Sequence, residues 1–255
     1  MKRLLTSTVI VPLLLLAGWT CALAEPVVLF DEGHGQRFLV GQQGPLDLSG
    51  LGELFENAGY TLLTSPAPLT PELLKGVDTL VISGAFISLK PEEVDAVQAF
   101  VASGGGLAVM LHIAPPLSNL LARLEVDFTN GTLREMKQLI GDNPLDFRVT
   151  DLTPHPLFEN LDGFSVYGSW ALRGTAEFAK DLARTTDHGW VDLNRDNRLG
   201  KGDAAQTFAV LVAGELGDGR FAVFGDDAIF QNRFLDNDNR QLASNLARWL
   251  GGLTP

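Results

Sequence analysis

From Glu25 to Met110 the chain alternates short apolar runs with amphipathic stretches, and that alternation restricts it to folds built around a parallel sheet. Val27 to Phe30 and Leu107 to Leu111 are continuous apolar runs, the pattern of strands buried on both faces, and Asp78-Thr79-Leu80-Val81-Ile82 reads as another strand. Thr61 to Thr64 reads as a shorter strand between the first two. Asp47 to Ala58 places Leu48, Leu51, Leu54 and Phe55 on one helical face, and Gly59 ends it. Thr70-Pro71-Glu72 reads as a cap with proline at the first helical position, opening a brief helix that stops at Gly76. Lys90-Pro91-Glu92-Glu93 starts another, which buries Val94, Val97, Phe100 and Val101 before the glycines at 104–106. These units predict an α/β fold: a doubly wound, mostly parallel, flavodoxin-like sheet with helices on both faces.

Pro115 to Thr186 is less regular and reads as added strands and loops. Thr207 to Ala213 and Phe221 to Phe224, joined through Gly217-Asp218-Gly219, read as a β-hairpin. A final helix over Asn237 to Leu250 buries Leu242, Leu246 and Trp249. With no internal repeat, residues 25–255 are expected to form one domain.

Met1-Lys2-Arg3, the apolar run Leu4 to Ala17 and Ala22-Leu23-Ala24 are the three parts of a secretory signal peptide, with cleavage expected after Ala24. An uncleaved membrane anchor and a lipoprotein attached through Cys21 are the rival readings. The apolar run falls short of the ~20 residues a span needs, and Gly18-Trp19-Thr20 is a poor approach to a lipidated cysteine. The expected location is the periplasm or the medium, with no stable membrane span once the leader is removed. Cys21 is the single cysteine, so the mature chain would use neither disulfides nor thiol chemistry. Losing Lys2 and Arg3 takes the net charge from −12 to −14, which argues against a nucleic-acid partner.

Each apolar strand ends in polar residues. Asp31, Glu32, His34 and Gln36 follow the first strand, Ser83 the third and His112 the fourth. Asp226, Asp227 and Asn232 follow the last strand of the hairpin. Ligands in open α/β sheets gather at the carboxyl ends of the strands, so these residues are the candidate ligand-binding set. Carboxylates beside imidazoles can hold hydroxyls, bind metal or exchange protons. They can equally cap helices and tie down loops, as acids just before Ala228-Ile229-Phe230 would. A zinc site from two histidines and an aspartate lacks any local ligand spacing to support it.

Several short motifs carry a resemblance: the strand ending Phe30-Asp31-Glu32-Gly33-His34-Gly35-Gln36, the glycines before the fourth strand, Thr153-Pro154-His155-Pro156, and the ending Gly217-Asp218-Gly219-Arg220 through Gly225-Asp226-Asp227, Asn232, Asn239, Asn245 and Trp249. In these the chain resembles extracytoplasmic domains of unknown function in the class I glutamine amidotransferase-like superfamily. That group is related to gliding-motility-type ABC transporter auxiliary proteins and to the amino-terminal domain of an intraflagellar transport subunit. The resemblance implies a flavodoxin-like sheet working at its carboxyl edge. It does not imply amidotransferase chemistry, because His112 stands where those enzymes present a nucleophilic cysteine.

Asp192 to Asp203 is the sharpest local motif, with Asp192, Asn194, Asp196 and Asp203 at positions one, three, five and twelve of a calcium-type loop and Arg198 at position seven, which supplies a backbone carbonyl. Asn197 is expected in the left-handed conformation usually given to glycine, and Leu199 as an inward apolar anchor. The expected cofactor is therefore a structural Ca²⁺. The competing reading is an exposed acidic turn neutralised by Arg195, Arg198 and Lys201.

Three functions fit these observations. The preferred one is a non-enzymatic domain that binds a small polar ligand, a carbohydrate for example, or a protein partner, with Trp170, Trp190 and Tyr167 as stacking surfaces or core. The second is a hydrolase pairing Asp31 or Asp226 with His34 or His112. The third is a structural or assembly protein of the cell envelope.

Overall fold

The computed structural model describes residues 25–252; the leader expected at 1–24 lies outside the described residues. The first half of the chain forms β1 (Val27–Asp31), α1 (Ser49–Asn57), β2 (Thr61–Ser65), β3 (Thr79–Ser83), α2 (Pro91–Ala102), β4 (Gly106–Met110) and α3 (Ser118–Arg123). The middle adds β5 (Val126–Arg134), β6 (Leu139–Ile140), β7 (Asn143–Val149), β8 (Asp151–Leu152), β9 (Phe164–Tyr167), β10 (Trp170–Gly174) and β11 (Ala179–Arg184). β12 (Trp190–Val191), β13 (Ala204–Ala205), β14 (Ala209–Leu216), β15 (Gly219–Phe224) and α4 (Asn237–Leu250) complete it.

The main sheet runs β13-β12-β5-β10-β14-β15-β4-β3-β1-β2, and β11 and β8 join it alongside β14. From β2 to β15 every pairing is parallel; from β15 outward through β14, β10, β5 and β12 every pairing is antiparallel. The expected α/β architecture is present, but "mostly parallel" describes only one half. The residues between α3 and β14 supply the antiparallel half and a separate small sheet, β6-β7-β9. Antiparallel neighbours need only tight turns, so this region lacks the helix-length spacing that marks βαβ units.

Alternation along the strands divides the core in two. Val28, Phe30, Val81, Ala108, Met110, Ala222 and Phe224 point to one face, with residues of α1 and α4. Leu29, Leu80, Ile82, Leu107, Val109, Phe221 and Val223 point to the other, with residues of α2 and α3. α1 buries Leu51, Leu54 and Phe55, as its spacing predicts. α4 starts at Asp236, whose carboxylate accepts from the Asn239 N–H at 3.0 Å, and it buries Leu242, Leu246 and Leu250.

Two local expectations are corrected. Residues 71–76 form turns rather than a helix; Thr70 Oγ1 accepts from Leu73 N–H, and Gly76 at φ +81° reverses the chain before a helix can propagate. Trp249 is only partly buried and packs edge-on against the ring of His155 at 4.9 Å. Among the described residues no helix is long and apolar enough to cross a membrane.

Candidate functional site

Because β1, β3, β4 and β15 are parallel neighbours, their carboxyl ends share one edge. Asp31, Ser83, His112 and the pair Asp226-Asp227 therefore stand along a single rim. Strands lie about 4.8 Å apart, so the three steps from β1 to β15 separate its ends by roughly 14 Å. The polar residues fall into two groups, each built on a histidine.

The first group is interior. His34 Nδ1 lies 2.8 Å from Asp31 Oδ2 and Nε2 lies 3.2 Å from Glu93 Oε1, with all three side chains buried. Burial alone would depress the imidazole pKa, but the hydrogen bonds and charges of Asp31 and Glu93 raise it. With carboxylates on both nitrogens, imidazolium is the form that satisfies the site. Gln36 adds a bond from Nε2 to Asp31 Oδ2 at 2.6 Å and accepts the His34 N–H. Burial pushes Glu93 up, while the N–H groups of Lys90 and Leu69, with His34, hold it below the usual range. Glu93 is thus both the third residue of α2, bonding back to its cap, and the far wall of the histidine site. Glu32 is half-buried, and burial followed by the charge of Asp31 raises its pKa.

The second group is open. His112 Nδ1 lies 3.1 Å from Asp227 Oδ1; the imidazole side chain is 40% exposed and the carboxylate 5%. The hydrogen bond to Asp227 raises the His112 pKa, burial opposes it, and the charges of Asp227 and Asp226 add to the rise. Among the described residues nothing hydrogen-bonds to His112 Nε2. Phe86 and Phe38 flank the ring at 5.0 and 5.6 Å, and Arg37 lies over Phe86 at 4.4 Å. Trp170 Nε1 donates to the His112 carbonyl at 3.1 Å. Asp227 Oδ2 is buried without a hydrogen-bond partner among the described residues. It sits over Gly84, where a Cβ would lie 2.8 Å from it and where φ is +63°.

The groups touch through one loop. Phe86 and Ile87 both donate their N–H to the His34 carbonyl at 2.9 Å, while Phe86 packs on His112.

Other candidates take structural positions. Asp226 is buried and accepts from Tyr167 N–H at 2.5 Å and Ala228 N–H at 2.8 Å. Desolvation outweighs both bonds and, with the charge of Asp227, raises its pKa to about 7. Asn232 ties down the start of α1, accepting from Gly50 N–H and donating to Gly44 and Ser49. Ser83 is buried at the end of β3 and hydrogen-bonds to neither histidine among the described residues. Trp190 is core and Tyr167 stacks on Phe234, while Trp170 meets the rim at the His112 carbonyl. Glu93, Arg37, Phe38 and Phe86 belong to the site without having been singled out from sequence. The N-cap spacing Lys90 to Glu93 was the one legible signal.

In the 192–203 loop, Asn197 has φ +62°, as expected, but Leu199 is 44% exposed and not an inward anchor. The loop carboxylates are engaged by the loop itself: Asp192 accepts from Asp196 and Asn197 N–H, Asp196 from Arg198 N–H, and Asp203 from Leu193 and Gly200 N–H. Arg134 donates to Asn197 Oδ1 and lies 3.5 Å from Asp192. No group of three or more His, Cys, Asp or Glu among the described residues is placed to hold a metal.

Comparison with known proteins follows the fold. The mmIFT52 N-terminal domain is similar at TM-score 0.67 and 17% identity, with 88% of this chain and 97% of that one covered. The cytoplasmic protein STM1381 of Salmonella typhimurium LT2 is similar at TM-score 0.59 and 16% identity, covering 88% and 99%. A ThuA-like protein of Bacteroides uniformis is similar at TM-score 0.54 and 15% identity, covering 89% and 93%. At these identities the likeness is one of fold. No curated protein matches the sequence. The family described as domain of unknown function DUF4350 matches residues 42–247, a span that holds the His112–Asp227 pair and begins after Gln36, and the chain belongs to that family.

Proposed function

We propose that this chain is a secreted or periplasmic, non-enzymatic recognition domain that binds a small polar ligand, of the carbohydrate class, at the open His112 group. The observation that carries the reading is His112 itself: a carboxylate fixes one nitrogen, the other has no hydrogen-bond partner among the described residues, and aromatic rings and Arg37 frame it. Rings offer a stacking face and the imidazole a directed hydrogen bond, the combination that orients a sugar. The interior His34 group supports the rim from behind, since its partners are already satisfied within the chain. The amidotransferase-like superfamily fits this reading through the position of His112 at the end of β4. The test is a thermal-shift screen of hexoses, amino sugars and hexuronic acids on wild type and His112→Gln. A hit that shifts both proteins equally removes the rim as the binding site.

A hydrolase is the second reading, favoured by the carboxylate-oriented imidazole, which could take a proton from water. It predicts turnover of a chromogenic glycoside or ester that His112→Gln abolishes. Calcium at the 192–203 loop belongs to the same proposal as a rigidifying ion, supported by the spacing of its oxygen side chains. Because Arg134 already serves Asp192, calorimetric titration with CaCl₂ decides between ion and guanidinium as the loop's cation.

A further inference from the structure

A cavity of about 550 Å³ opens at the other edge of the sheet, where Arg220 stands near the start of β15 and α4 ends. Its volume is within the roughly 300–1,000 Å³ of small-molecule sites. Leu152, Phe158, Leu161 and Trp249 make its walls largely apolar. Its imidazole and two guanidinium groups share one property, an N–H left to donate. His155 Nδ1 accepts the Leu157 N–H at 3.2 Å; an amide only donates, so that nitrogen is bare and the ring proton sits on Nε2. Burial lowers the pKa of His155, which favours the same neutral tautomer. Arg220 spends one N–H on the Trp249 carbonyl and Arg248 one on Asn245 Oδ1, each at 2.7 Å, and each guanidinium keeps further donors. Asn245 Nδ2 is committed to the carbonyls of Leu157 and Glu159. In a chain with 31 acids and 19 bases, the lining holds two arginines and a single acid, Glu159; Glu215, outside the lining, lies 4.0 Å from Arg220 Nε, which leaves Arg248 as the less neutralised of the two guanidinium groups.

An apolar chamber whose polar edge donates and carries positive charge is complementary to an acceptor-rich head on an apolar body. We propose that this cavity binds a small organic anion, a carboxylate or sulfonate borne on an aromatic or aliphatic body, independently of the His112 rim.

The test uses the full chain after its leader, with two dyes of nearly the same body: 1-anilinonaphthalene-8-sulfonate, and N-phenyl-1-naphthylamine, which lacks the sulfonate. The sulfonate should bind saturably and at least ~10-fold more tightly than the amine. Arg248→Gln should weaken the sulfonate by about 10-fold and leave the amine unchanged, while the exposed Arg173→Gln changes neither. Trp249→Phe, a change that keeps the wall filled, should remove most energy transfer from tryptophan to bound dye with little loss of affinity. Equal affinity for the two dyes, an Arg248→Gln titration matching that of Arg173→Gln, or undiminished transfer in Trp249→Phe overturns the proposal. A concentration-dependent dimer dissolved by the dye would assign the cavity to a second copy and overturn it as well.

Discussion

Two histidines at the same edge of one sheet are each held by an aspartate, and their surroundings differ in how far each imidazole is enclosed. His34 is enclosed, with carboxylates on both nitrogens and Gln36 closing the ring of bonds. His112 is half-open, with one carboxylate and a nitrogen facing away from it. An imidazole whose two nitrogens are both satisfied inside the protein fixes loops to one another. One with a single partner has something left to offer a ligand. The difference comes from the third participant: α2 places Glu93 behind His34, whereas Phe38 and Phe86 line His112 with rings that accept no strong hydrogen bond.

Each prediction bears on that contrast. His34→Ala should be the most damaging change, because it leaves Asp31 and Glu93 buried without their cation; about 3 to 5 kcal/mol of stability should be lost in urea unfolding. A loss as small as that of a surface substitution would show the interior group to be ornamental. Asp226 tests the electrostatic side. Its folded pKa of about 7 lies above the ordinary 3.8, so the folded chain holds this proton more tightly than the unfolded chain. Its contribution to stability is complete below the unfolded value and is lost as pH rises through about 7. Asp226→Asn should therefore lack a component of up to ~1.4 kcal/mol per pH unit across that window. The difference between the wild-type and Asp226→Asn stability-versus-pH slopes measures it.

Gly84→Ala forces a side chain into a left-handed position beneath Asp227. It should cost on the order of 1 to 3 kcal/mol and move the His112 titration seen by NMR, while that of His34 stays in place. The smallest effect on stability belongs to His112→Gln, under about 1 kcal/mol by thermal unfolding. The same variant should lose the ligand-induced shift entirely, and a large stability loss would put His112 in the same class as His34.

The parallel half of the fold was legible because Val28 to Phe30, Leu80 to Ile82 and Leu107 to Met110 are buried on both faces and so carry unbroken apolar runs. Of the antiparallel half the β14–β15 hairpin was legible through its glycine turn; the rest was not, since strands such as β5 and β7 alternate exposed, half-buried and buried residues and β5 pairs with segments far along the chain. Sequence placed His112 and Asp227 on one edge through strand polarity alone. It could not distinguish them from His34 and Asp31, because that distinction depends on Glu93, 59 residues away from His34. Trp249 shows the reverse failure: helical spacing puts it on the apolar stripe of α4, but it is only partly buried and lines a cavity beside His155.

The seam of the main sheet has a consequence for assembly. β15 is the middle member that joins β14 to β4, and it follows every other described strand in the chain. Until residues 219–224 are available, both neighbours present raw backbone edges, the kind that recruit foreign strands. Closing the gap means pairing segments more than a hundred residues apart, a slow step entropically. A polypeptide cut before Gly219 should therefore yield a sticky, half-built species instead of a smaller native one, and a chaperone that shields nascent edges would be of most service to this protein in that interval.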